Sequence, residues 1–239
     1  MTDRKRGTTH LLTLLVVTAF GAMAFAASAQ AVAPGFLIGK KSIGALLATV
    51  GASGDGTSTI LVPGLNSKLS CMNLTLDEGH LESKTDARLT FLYTGCTVLS
   101  ISKLEEIPCW VDEPIKVETL LLPTETAFNG QPAILAEKIK ALIILFKLGG
   151  LLSEPCILPY DTALTGEICF QIFFNDTVEP LIEANSTVQC KERQALEAAE
   201  GSGVKDVLKY GLQTATFDGS ARLFLTGAHL GLTLGVSLY

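Results

Sequence analysis

Apolar and polar positions alternate along most of the chain from Thr57 onward. Residues 58–62 form a short apolar run closed by Pro63-Gly64. Residues 68–76 place Leu69, Cys71, Asn73 and Thr75 on one side and Ser70, Met72, Leu74 and Leu76 on the other, the two-residue period of a strand with one packed face. Asp77-Glu78-Gly79-His80 predicts a turn, and residues 86–93 predict a second strand that Thr94-Gly95 ends before Cys96. Pro108, Pro114, Pro123 and Pro132 punctuate the next stretch, so its strands, 115–122 among them, are expected to be short or to lie at edges. Residues 163–174 read as a strand with Phe170, Ile172 and Phe174 on one face, paired with residues 181–190 across Asn175-Asp176. Near the end, residues 214–217 precede a turn at Asp218-Gly219 and a long alternating run. In that run Leu230, Leu232, Leu234, Val236 and Leu238 share one face.

Three stretches depart from this pattern. Residues 30–56 are rich in Gly and Ala and read as a loosely ordered lead-in with one short helix or strand, ending in a loop over 51–57. Residues 133–149 carry Ile134, Leu135, Ile139 and Leu142 at helical spacings, yet 141–148 also suits a buried strand; a short helical piece followed by a strand is the expectation. Residues 191–210 are the best helix candidate, interrupted at Gly201-Ser202-Gly203. Many short strands separated by polar turns predict a mainly β fold: an antiparallel β-sandwich or barrel-like domain with one or two short helices, over residues 57–239.

The first residues carry a different signal. Arg4, Lys5 and Arg6 precede a nearly unbroken apolar run over 11–25, followed by Ala26-Ala27-Ser28-Ala29. A basic segment, an apolar stretch and a small-residue A-x-A site in this order predict a signal peptide over residues 1–29, with Ala31 as the alternative cleavage point. The apolar run is on the short side for an uncleaved anchor, which takes about 18 or more residues. The stretch 142–152 is apolar but short and carries Lys147, so no transmembrane span is expected in the mature chain. The predicted destination is the extracellular space, the periplasm or the cell envelope.

Export changes the meaning of the cysteines. Cys71, Cys96, Cys109, Cys156, Cys169 and Cys190 all lie beyond residue 29, and none are spaced C-x-x-C. In an oxidising compartment an even number of such residues predicts disulfides; with only His80 and His229 remaining, a zinc site has little support. Local strand logic favours Cys71 with Cys96 and Cys169 with Cys190, which leaves Cys109 and Cys156. Each closed loop stabilises the fold by about 3–4 kcal/mol in the chain-entropy picture.

Loss of Asp3, Arg4, Lys5 and Arg6 takes the net charge from −6 to −8. That argues against a nucleic-acid partner, which calls for clustered Lys and Arg. Candidate chemistry is sparse. Gly51-Ala52-Ser53-Gly54-Asp55 fails the nucleophile-elbow pattern at its last position, and Gly35 to Lys40 is one residue short of a P-loop. His80 and His229 have no accompanying partner pattern, and the acid pairs Glu105-Glu106 and Asp112-Glu113 read as solvated loops. No catalytic, cofactor-binding or metal residues are assigned, and no cofactor is expected. Asn73-Leu74-Thr75, Asn175-Asp176-Thr177 and Asn185-Ser186-Thr187 are sequons. Among the few aromatic residues that could stack on a sugar, Trp110 beside Cys109 reads as core.

Several motifs recur in a characteristic order: Leu69-Ser70-Cys71, Tyr93-Thr94-Gly95-Cys96-Thr97, Cys109 followed by Glu113-Pro114-Ile115, the central Cys156, Leu164-Thr165-Gly166, and Phe217-Asp218-Gly219. Together, over about residues 57–236, they resemble a family of uncharacterised secreted bacterial β-rich proteins. The resemblance implies export and a β-rich domain and carries no activity or site residues. The expected role is therefore a secreted or cell-envelope β-domain that binds or assembles with an unknown extracellular or cell-surface partner. A hydrolase with dispersed site residues such as His80 or His229 is one alternative. An outer-membrane β-barrel is the other, although a single Trp and four Tyr supply little for aromatic girdles.

Overall fold

Residues 33–43, 47–147, 156, 161–191 and 207–238 are described by the computed structural model. All of them fall within the unit Val32–Tyr239. The segment assigned to the signal peptide lies outside them. So does most of the helix expected over 191–210.

Fourteen strands follow one another: β1 Gly35–Ile38, β2 Lys41–Ser42, β3 Ala48–Gly54, β4 Ser58–Val62, β5 Ser67–Leu81, β6 Ala87–Ser100, β7 Cys109–Val111, β8 Ile115–Glu125, β9 Pro132–Lys147, β10 Asp161–Phe173, β11 Leu181–Ala184, β12 Leu208–Tyr210, β13 Gln213–Leu225 and β14 Leu234–Ser237. Among the described residues the only helical pieces are single 3₁₀ turns at Pro63–Leu65 and Gly227–His229. Strands β14, β1 and β2 form a small antiparallel sheet, and the other eleven form a large one. In the large sheet β5 pairs with β6, β6 with β8, β8 with β9, and β9 with β10. The order continues from β10 through β11 and β12 to β13, and from β13 through β3 and β4 back to β5. Every pairing is antiparallel, and the pairings return to the strand they started from.

Side chains on one face of the large sheet form the main core. Leu69, Leu89, Val117, Ile143, Leu164 and Leu223 are all buried there. Between Tyr93, Ile139, Ile168 and Phe217 only about 30 Å³ stays open, so this face is filled by side chains. A second cluster covers the other side of β9 at its start. Leu122, Ala133, Leu135, Cys169 and Cys190 pack there with Val188, which explains why residues 133–136 are buried in succession. The small sheet is tied on by the Phe36 amide, which donates to the Lys84 carbonyl (2.7 Å), and by Asn175, which exchanges two 2.8 Å hydrogen bonds with the backbone of Val236.

Several expectations need correction. The predicted turns at Asp77-Glu78-Gly79-His80, Thr94-Gly95 and Asp218-Gly219 lie inside β5, β6 and β13. Their polar residues point outward, and Gly79 is there for close approach: a Cβ on it would stand 2.6 Å from the Val50 carbonyl oxygen of β3. The lead-in is not loosely ordered where it is described, because β3 takes up residues 48–54 and pairs with both β13 and β5. The helical piece near 133–140 is absent, since β9 is one strand of sixteen residues. Pro123 does lie on an edge, past the last β6–β8 pair at Ala87↔Leu121, but its strand is not short. At the C-terminal end, Leu230 and Leu232 are exposed and only Leu234–Ser237 is strand, so the alternating run is shorter than its sequence pattern.

Candidate functional site

The cysteines pair as local strand logic favours: Cys71 with Cys96, Cys109 with Cys156, and Cys169 with Cys190. Cys71 and Cys96 face one another directly across the β5–β6 ladder. Cys169–Cys190 fastens the segment after β11 over β9 and β10, where Lys191 also pairs with Glu125 and Asn185 accepts from the Thr187 amide at 2.9 Å. These disulfides staple the fold, and five of the six cysteines, all but the partly buried Cys96, are buried.

The adjacent motifs around Cys96 and Pro114 meet in space. Beyond the last β6–β8 pair, Tyr93↔Ile115, strand β6 loses its neighbour on that side. There Gly95 adopts φ +65°, which turns two successive amides to the same side. Glu113 fills the gap: its carboxylate accepts from the Gly95 amide at 2.9 Å and from the Cys96 amide. The carboxylate thus replaces a missing strand, as an anion does in a backbone nest.

On the outer face of β8, β9 and β10 lies a groove of about 620 Å³. It exists because the β8–β9 ladder runs from Glu125↔Pro132 only as far as Glu118↔Lys140, after which the two strands part. Beyond that point β9 pairs with β7 instead, through Val111↔Leu145, Trp110↔Phe146 and Cys109↔Lys147. Leu142 and Ile144 lie along the groove, and Asp112, Lys116, Glu118 and Lys140 carry its charges. Lys116 donates to Asp77 at 3.1 Å, and this bond holds its ammonium pKa above the usual value. Continuing the register by one outward row beyond Asp112 and Ile144 brings Trp110 opposite Phe146, with ring centroids 5.6 Å apart.

Trp110 is 57% exposed and Leu142 is 52% exposed. The expectation that Trp110 is core is overturned. On β7 it is Cys109 and Val111 that turn inward, and alternation then forces the residue between them outward. The residues missed by sequence reasoning are Leu142, Ile144 and Phe146. Their signal was the excess of apolar residues in 141–148, which hid the alternation.

His80 stands exposed on β5 opposite Arg88, and His229 ends the second 3₁₀ turn. Among the described residues neither imidazole bonds to a carboxylate, and no group of three or more His, Cys, Asp or Glu side chains could hold a metal ion. Of the sequon residues, Asn73 is exposed on β5, whereas Asn175 spends both amide atoms on Val236. No helix among the described residues is long and apolar enough to cross a membrane, and the three disulfides fit an oxidising extracellular or periplasmic setting.

No family model matches the chain, and no curated protein or solved structure does so either.

Proposed function

We propose that the chain is an exported, disulfide-stapled binding domain that engages an extracellular or cell-surface partner through the β8–β9–β10 groove, and that its circuit of strands is a closed, barrel-like β domain. The observation that carries the reading is the row of outward apolar side chains, Leu142, Ile144, Phe146 and Trp110, on an otherwise charged outer face. Outward positions on a solvated strand have no packing reason to be apolar, and contiguous exposed apolar surface marks interaction sites. The disulfides and the filled interior supply a rigid platform for that face.

Polarity argues against the outer-membrane alternative. A membrane barrel is apolar outside, whereas Arg88, Lys116, Glu118 and Lys140 point outward here. Each basic residue on a lipid face costs about 2–4 kcal/mol at the bilayer midplane. The same outward charges suit a domain surrounded by water.

The reading is tested by NMR shift mapping on the ¹⁵N-labelled, oxidised mature chain, titrated with pools of soluble oligosaccharides and of extended peptides. Ligand-induced shifts are expected at residues 110–118, 140–146 and 161–165. Binding that maps to another face, or no binding from either pool, would remove the groove as the working surface.

A further inference from the structure

The groove also restricts the chemistry of its ligand, and this inference rests on the binding role just proposed. Its floor contains backbone polar groups left over by the parting of β8 and β9. In the register of Glu118↔Lys140 the next facing pair would be Lys116 with Leu142, and it does not form. The Ile144 carbonyl accepts the Asp112 amide at 3.0 Å, so Ile144 directs its backbone toward β7 and β8. Leu142, two residues away on the same strand, directs its N–H and C=O to the same side, into the groove. A strand position of this kind is completed by a ligand that offers both a donor and an acceptor.

The charged groups point the same way. Two acids, Asp112 and Glu118, and two bases, Lys116 and Lys140, line the groove, with Lys116 also held by Asp77, so the groove presents no cluster of a single sign. What it presents is an interleaved set of donors and acceptors, which suits hydroxyl groups because each hydroxyl both donates and accepts. At the groove's end Trp110 offers a flat, exposed indole face, held in place by Phe146. The negative face of an aromatic ring attracts weakly positive C–H groups. A pyranose ring has such a C–H face and carries hydroxyls around its edge.

Shape and backbone exclude the competing occupants. A second copy of the chain would have to fit its own groove to this one, and two concave surfaces are not self-complementary. An extended peptide added as a strand uses successive free ladder positions, whereas each strand here offers a single one, Lys116 on β8 and Leu142 on β9.

We infer that the groove binds a neutral oligosaccharide chain, with one sugar ring stacked on Trp110 and its neighbours hydrogen-bonded across Lys116 and Leu142. Trp110 is the only tryptophan of the chain, so its fluorescence reports on the site directly. The oxidised mature protein is titrated with cello-, xylo-, manno-, malto- and chitohexaose and, separately, with a pool of extended peptides. Calorimetry then compares the native chain with Trp110→Ala and with Phe128→Ala, which removes an exposed aromatic side chain from the β8–β9 turn instead. A hexasaccharide that changes the fluorescence saturably, and that binds Trp110→Ala at least tenfold more weakly but Phe128→Ala unchanged, is the expected result. Saccharide binding that Trp110→Ala leaves intact overturns the assigned site. Peptide binding lost in Trp110→Ala, with no saccharide bound, overturns the ligand class and leaves the binding role standing. If neither probe set binds, both fall.

Discussion

Removing the Glu113 carboxylate should loosen the fold more than its exposed position suggests. The side chain accepts from two successive amides, those of Gly95 and Cys96, at the place where β6 runs past the end of β8. A hydrogen bond to a charged group contributes about 1.5–3 kcal/mol when water is excluded. Gly95 and Cys96 are half-buried and Glu113 is exposed, so water recovers part of that, and Glu113→Ala is expected to cost about 1–3 kcal/mol for the pair. For a unit of this size each kcal/mol lowers Tm by about 2–4 °C, which places the shift at roughly 2–12 °C. Glu113→Gln keeps one acceptor oxygen and should lose about half as much. Urea unfolding of the oxidised protein, followed by circular dichroism, measures this as a lower midpoint at constant slope. Glu105→Ala, an exposed loop acid with no such role, is the control and should stay within about 0.5 kcal/mol of the native chain. If Glu113→Ala is as silent as Glu105→Ala, the carboxylate is not standing in for a strand, and the meeting of the two motifs is incidental.

The two faces of β9 should respond oppositely to truncation. Ile143→Ala removes a fully buried side chain and should cost about 2–5 kcal/mol, while Leu142→Ala on the outer face should cost under about 1 kcal/mol by chemical denaturation. Gly166→Ala should be strongly destabilising or fail to accumulate, because Gly166 has φ +124° and its new Cβ would stand 2.0 Å from the Val207 carbonyl oxygen; expression and thermal unfolding read this out. Replacing Cys169 and Cys190 together by Ala should lower stability by about 3 kcal/mol, given a sequence separation of 21 residues, and equal midpoints for variant and native chain would contradict it. Burial raises the Tyr93 and Tyr210 phenols above their usual value near 10. The unfolded chain therefore ionises these groups first, and their contribution to stability, complete below pH 10, should fall as pH rises above it; absorbance titration should find at least two tyrosines resisting ionisation until the fold is lost.

The strand-rich class and the disulfide pairing were legible because both depend on local chemistry. Alternation at Leu69 and Cys71 reports a packed face whatever lies opposite; Cys71 and Cys96 sit opposite one another on a single strand pair, and Cys169 and Cys190 bracket the β10–β11 hairpin, with Cys190 beyond its ladder. Turn composition misled at Asp77 to His80 and at Asp218-Gly219. Long outer-face strands expose polar residues and use glycine where neighbours crowd, which is the same composition that a turn shows. In β9 the outward residues Leu142, Ile144 and Phe146 are as apolar as the inward Ile143 and Leu145, so no period emerges from the sequence. What blurred the strand there is the property that makes the face a candidate site.

By itself the sequence determined a β-rich, cysteine-stapled chain, because periodicity and cysteine number are properties of the residues themselves and their neighbours. Only the tertiary structure decided that Trp110 faces outward, that Glu113 reaches Gly95, and that β8 leaves β9 at Lys140 to open a groove. Each of these depends on which distant strands pair and where their ladder ends. Side-chain direction along a strand is fixed by local alternation, but which side is inside is fixed by the distant strands that pair with it and pack against it.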